Sequence, residues 1–354
     1  MNLRLKAGTE PFEFKGNAKE WFGIWIVNLL LSIITLGIYS AWAKVRTEKY
    51  FANNTFVAGR NFDYHATGKQ ILIGRLIVVG AFILLQVMTV ALPVVGLVLL
   101  LAVVIAYPWL IVRSMQFNAR MTSYSNVRFG FVGKIGQAFP VFMIYPFLMA
   151  LTLYTTFPIL DRAVKRYAIN NSKLGQASFT FDAGLGAFYK AFLIAIAWAV
   201  GVMVIGATVF GVSLLGFGEA MADLETNPAA AAGIIGMFYL FFFAALLPAG
   251  FIYSALTRNT VYNGLELDGG HRFVSTVTAP KMLWIAVSNA VVVICTFLLM
   301  LPWAQVRMSR YLAQNTGLIP GGSLDEFIDE QHAAGSTMGA AYTDLEGIDV
   351  GLPI

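Results

Sequence analysis

Trp42, Arg46 and Tyr50 stand four residues apart, and Trp303, Arg307 and Tyr311 repeat the set 261 residues later. That spacing puts all three side chains on one face of a helix. A guanidinium offers a planar fork of donors that fits phosphate, and Trp and Tyr rings settle at head-group depth. The face could therefore hold an anionic ligand such as a phospholipid head group. The same residues would also serve as a plain interfacial anchor, with the rings in the aromatic belt and the arginine snorkelling. Partial copies occur at Trp109, Arg113 and Phe117, at Arg166 and Tyr167, and at Arg258 and Tyr262.

Other residues recur at the same spacing. Asn28/Asn289 and Thr35/Thr296 fall inside apolar runs, where polar side chains either line a translocation path or hydrogen-bond between helices. Asn54/Asn315 and Thr55/Thr316 could form a polar site at the membrane edge or end a helix. His65 and His271 could act as general bases, but neither has a nucleophile at a recognised spacing, so no catalytic residue is assigned. No phosphate-cradling glycine loop, HExxH helix or GxSxG elbow occurs. Three histidines and one cysteine at unrelated positions suggest no metal site, and no cofactor is expected. No Asp, Glu, Lys, Arg or His lies deep in an apolar run, which argues against a proton-coupled carrier.

The elements that position these residues follow from composition. The chain is 58% hydrophobic and 12% charged, about half the charge of a soluble domain. Charge-free windows at 21–43, 135–160 and 282–306 are each long enough for one crossing. Residues 76–112, with Pro93 and Gly96 near the middle, read as a helical hairpin. Residues 191–257 read as another, its loop holding Glu219, Asp223, Glu225 and Pro228. The expected fold is an all-α polytopic integral membrane protein. It has about seven hydrophobic segments in tandem repeats (single, pair, single, pair, single), with amphipathic interfacial helices.

A second spacing of 117 aligns Phe12, Phe14 and Gly16 with Phe129, Phe131 and Gly133, and Tyr50 with Tyr167. It divides the chain into a first repeat (1–128), a second (129–270), a partial third (271–316) and an acidic tail (317–354). Short alternating pieces such as Phe12–Phe14, Phe62–Tyr64, Phe129–Phe131 and Phe179–Phe181 predict small β-hairpins at the membrane surface.

Charge placement poses a conflict. Residues 91–96 and 211–232 contain no Lys or Arg, and every other connection is basic, which places those basic connections in the cytoplasm. Yet the single segments are too short to cross twice. Either they cross once and the copies are inverted, or they are re-entrant, with Gly37, Pro146 and Pro302 as break points. Repeated basic motifs favour the same-side alternative. The tail carries seven acids and no Lys or Arg, so with a total of +5 the remaining residues carry +12. It would either dock on the basic body, with Leu324, Phe327 and Ile328 on one helical side, or be solvated and disordered.

The stretch TLGIYSAWAKVRTEKYFANNT, Thr35 to Thr55, resembles the YjgN-like family of bacterial inner-membrane proteins, a domain of unknown function. The likeness extends over about residues 10–316 through F-x-F-x-G and W-A-x-V-R-x3-Y-x3-N-T elements. The copy at 159–171 departs most, with Ile159 in place of the tryptophan and Ala163 in place of the arginine. The resemblance implies a multi-pass protein of the bacterial inner membrane and supplies no activity, ligand or catalytic residue.

The expected function is a transport or lipid-handling role with an anionic head-group girdle. The alternative is a structural or regulatory scaffold that organises lipid or a protein partner at the cytoplasmic face. The expected partners are anionic membrane lipids. Nucleic acid is not expected, because the basic residues flank apolar spans.

Overall fold

The short alternating pieces pair with one another around a complete circle. The computed structural model describes residues 8–216 and 228–345. Ten strands form a closed antiparallel barrel: β1 (Glu10–Phe14), β2 (Thr55–Val57), β3 (Arg60–Tyr64), β4 (Thr122–Tyr124), β5 (Val127–Phe131), β6 (Ser172–Leu174), β7 (Ala177–Phe181), β8 (Leu265–Leu267), β9 (His271–Ser275) and β10 (Thr316–Ile319). Neighbours around the barrel are neighbours in sequence, and β1 closes the circle on β10 through Glu10↔Leu318 and Pro11↔Gly317. This corrects the all-α expectation with separate surface hairpins. Pieces of three to five residues cannot stand as isolated edges, and pairing every edge with the next is what stabilises them.

Alternation gives the barrel an apolar inside and a polar outside. Val57, Tyr124, Val127, Leu174, Ala177, Leu267 and Leu318 fill the lumen. Phe12, Phe62, Phe129, Phe179 and Phe273 form a row of rings above them, with successive centroids 6.2 to 6.4 Å apart. Glu13, Arg128, Thr180 and Arg272 face out and are exposed. A lipid-embedded barrel has the opposite polarity, so this one stands in water.

Between successive β-hairpins the chain leaves the barrel as a helical hairpin and returns beside its starting point. Two of these are long: α3 (Gly68–Ala91) with α4 (Pro93–Met121), and α8 (Leu185–Gly216) with α9 (Pro228–Asn263). They hold the four described helices long and apolar enough to cross a membrane. Glu219, Asp223 and Glu225 lie outside the described residues.

The seven hydrophobic segments reduce to four helices long and apolar enough to cross, and none of the three single segments is among them. Each is a short hairpin: α1 (Ala18–Ile34) with α2 (Ser40–Asn53), α5 (Ile135–Phe139) running through a π turn into α6 (Tyr145–Leu151) and then α7 (Phe157–Asn170), and α10 (Ala279–Cys295) with α11 (Leu301–Gln314). The arms reverse over two left-handed residues, Leu36–Gly37, Leu153–Tyr154 and Phe297–Leu298. Gly37 lies at a tip, whereas Pro146 and Pro302 sit in the first turns of α6 and α11 and break nothing. Leu36, Leu153 and Phe297 are 94%, 85% and 90% exposed, and large apolar side chains presented this way call for an apolar surround.

Because β1 pairs with β2, both feet of the first short hairpin lie on one side. The same holds for every hairpin. With Cys295 replaced by serine, cysteines at Asn126 and Arg272 should label from the same side of a sealed vesicle. Labelling from opposite sides would contradict the fold.

The far mouth of the barrel is covered by α12 (Leu324–Leu345), whose side chains are described as far as residue 334. Ile328 is 1% exposed in the lumen core, with Leu324 and Phe327 packed beside it. The Gln331 Oε1 accepts from the backbone N–H groups of Gln176 (2.8 Å) and Ala177 (3.1 Å). Arg60 reaches the exposed Asp325 at 2.5 Å.

Candidate functional site

The three tyrosines of the repeated stretch are latches. The Tyr50 hydroxyl donates to the Asn17 carbonyl (2.9 Å) and accepts from its N–H (3.0 Å). Tyr167 donates to the Lys134 carbonyl (3.2 Å), and Tyr311 makes both bonds to Thr278. Each ties the returning arm of a short hairpin to the residue 33 positions earlier, where the outgoing arm begins. Burial raises the hydroxyl pKa of Tyr50 and Tyr167 above its ordinary value. Gly16 and Gly133 leave room for the latch, since a Cβ there would meet the Phe14 or Phe131 ring and the tyrosine oxygen. The F-x-F-x-G element and the distant tyrosine are therefore one packing unit.

The polar residues inside the apolar runs also serve the hairpins. Thr35 donates to the Leu31 carbonyl (2.7 Å) and accepts from the Tyr39 N–H across the tip (2.9 Å). Thr296 does the same with Val292 and Met300. Asn289 donates to the Ala304 carbonyl (3.0 Å) and accepts from Arg307 (2.8 Å), bridging α10 to α11. Asn28 occupies the matching place in α1, is 5% exposed, and has no partner for either amide atom. The difference comes from Arg46, which is exposed and lies 5.6 Å from the Tyr39 ring instead of turning inward.

The tryptophans and arginines separate by copy. Trp42 lies across Gly68, where any Cβ would fall 2.4 Å from the ring. Trp109 and Arg113 face each other at 5.8 Å on α4, and Arg113 reaches Gln116. The last copy lines a cavity of about 270 Å³ between α1, α10 and α11. Trp303, Arg307 and Tyr311 line it together with Lys281 and Arg310. The Arg307 guanidinium sits 5.2 Å from the Trp303 ring and donates to the Ser288 hydroxyl (2.6 Å) as well as to Asn289. Arg310 donates to the Gly16 carbonyl (3.0 Å), joining the last hairpin to the first.

Three cations thus line one cavity, with no carboxylate among its lining residues. Such a site attracts a phosphate or carboxylate group, and the indole and phenol rings suit the apolar neck of a lipid. Lys281 and Arg310 were not singled out from sequence. Lys281 opens a different helix, and Arg310 is off the Trp–Arg–Tyr spacing, though only one turn beyond Arg307.

Among known proteins, the chain is similar to the inner membrane protein YjgN of Salmonella typhimurium (strain LT2), with 29% identity over 86% of this chain and 87% of that one. It is also similar to the inner membrane proteins YjgN of Escherichia coli O157:H7 and K12, at 33% and 34% identity over 42% of this chain and 38% of each of those. No solved structure matches it. The family model for "bacterial protein of unknown function (DUF898)" matches residues 9–345, and the chain belongs to that family.

Proposed function

We propose that this is an inner-membrane protein that holds an anionic phospholipid head group at its cytoplasmic face and has a lipid-handling role. The observation that carries the reading is the cluster of Lys281, Arg307 and Arg310 around one cavity without a carboxylate, beside apolar hairpins. The named relatives are inner-membrane proteins, and four helices here are long and apolar enough to cross a membrane. The described hairpin tips, at 35–39, 91–96, 152–156 and 296–300, carry no Lys or Arg, whereas the feet are basic. The positive-inside rule then favours a cytoplasmic barrel.

A route through the protein has less support. Thr35 and Thr296 are spent on their own turns, and Asn289 on a helix bridge. The barrel lumen is filled by side chains and covered by α12. That filled lumen, with its polar outer wall, favours a scaffold for a protein partner as the second reading.

The test is lipid retention by native mass spectrometry, using nanodiscs of mixed phosphatidylglycerol and phosphatidylethanolamine. Charge-assisted hydrogen bonds are worth about 1.5–3 kcal/mol, so a K281Q/R307Q double variant should lose retained phosphatidylglycerol by about tenfold or more. Retention equal to wild type would leave the cavity without a lipid role.

A further inference from the structure

A second cavity, of about 650 Å³, lies between the membrane-side rim of the barrel and the helices. The returning helices α2, α4, α9 and α11 line it above, and the adjacent strands β10, β1, β2, β3 and β4 below. Its floor is the start of the phenylalanine row, Phe12 and Phe62.

Two buried hydrogen-bond groups among its lining residues have no partner. The Tyr64 hydroxyl is one, on a side chain only 6% exposed. The Arg258 Nε–H is the other. Arg258 is held in place by a bond from its terminal nitrogen to the Thr316 hydroxyl (2.9 Å) and by the Tyr262 ring at 4.2 Å. No carboxylate forms an ion pair with it among the described residues. Lys44 and Glu48 complete the charged lining, which therefore carries one more positive than negative charge.

A buried donor left unpaired is costly, and a fixed guanidinium with a spare Nε–H is suited to an oxygen anion. The volume and aromatic lining match small-molecule sites, which are mostly apolar with a few convergent polar groups. We infer that this chamber binds a monoanionic amphipath. Its carboxylate or phosphate meets Arg258 and Tyr64, and its apolar body lies on Phe12 and Phe62. Glu48 disfavours a second negative charge. The site shares no lining residue with the Lys281–Arg307–Arg310 cavity.

The experiment uses the full chain in neutral phosphatidylcholine nanodiscs and native mass spectrometry. Two probes are used: dodecanoate, which partitions into bilayers, and 2-naphthoate, which arrives from water. Dodecanol serves as the uncharged control. In the K281Q/R307Q background, which removes two cations from the other anion-attracting cavity, one adduct per chain is expected with at least one anion and none with dodecanol. Binding of dodecanoate alone would assign a bilayer-derived ligand, and binding of 2-naphthoate alone a water-soluble one. R258Q should weaken the adduct by about tenfold, as expected for a lost charge-assisted bond. S309F, which fills the chamber and keeps Arg258, should abolish it. The inference is overturned if neither anion binds, or if both R258Q and S309F bind as wild type does.

Discussion

Truncation after Ser323 is expected to loosen the membrane-distal half of the barrel while the helical hairpins stay in place. The tail contributes Leu324, Phe327 and Ile328 to the lumen core. Burying a side chain of this size is worth about 1.5–3 kcal/mol, so losing three of them removes on the order of 5 kcal/mol. That is comparable with the whole margin of about 5–15 kcal/mol that holds a typical domain together. Hydrogen exchange should accelerate at 55–60, 122–127, 172–177 and 265–271, and unchanged protection there would contradict the account. Ile328→Ala should reproduce part of it, at about 2–5 kcal/mol.

The same docking should depend on pH. His271 is buried, its Nδ1 accepts from the Gly321 N–H (3.2 Å), and its ring meets Phe327 at 4.5 Å. Burial lowers its pKa below the ordinary value of 6.5. The docked form therefore requires the neutral ring. Docking is complete above the undocked pKa of about 6.5 and weakens as pH falls below it, because the undocked form binds the proton more readily. Exchange at 321–332, corrected for intrinsic rates, should rise between pH 7.5 and 5.5 in wild type and lose that dependence in H271Q.

Gly133→Ala should be the most damaging small substitution in the chain's repeated motif. Its Cβ would lie 2.4 Å from the Phe131 ring and 2.5 Å from the Tyr167 oxygen. Both partners are buried against Val112, Ala138 and Val141, so neither ring has room to yield. Overpacking costs about 1–3 kcal/mol, and displacing the Tyr167 latch forfeits about 1 kcal/mol more. Gly16→Ala should be milder, since its nearest distances are 2.7 Å to Phe14 and 3.0 Å to Tyr50. Gly136→Ala is the control, an exposed helical position where a Cβ meets nothing within 4 Å. Thermal unfolding in detergent should rank them in that order, and equal behaviour of Gly133→Ala and Gly136→Ala would sink the latch.

Much of this architecture was legible in the residues, and what was missed has a physical reason. The alternating pieces marked strands, but their closure did not show. A strand of three to five residues carries little register information, and the seam joins Glu10 to Leu318. Whether the single segments cross or re-enter stays open in the sequence, because an apolar outgoing arm runs directly into an amphipathic returning one. Gly37 signals the first reversal, whereas Leu153–Tyr154 and Phe297–Leu298 reverse without any glycine. Left-handed large residues there cost about 1–2 kcal/mol each, which composition does not reveal. Periodicity put Trp303, Arg307 and Tyr311 on one helical face, and all three line one cavity. It could not add Lys281 and Arg310, because that cavity forms only when α10, α11 and α1 meet.

The closed seam also bears on how such a chain can change over generations. Every unit leaves the barrel and returns beside its own origin, adding a strand at each foot. Gaining or losing one unit would alter the circumference by two strands and leave all the others the same way up. Alternating-crossing proteins lack that freedom, because an odd insertion turns everything downstream over. In this design the count of units could change while orientation is preserved, and the barrel girth would change with it.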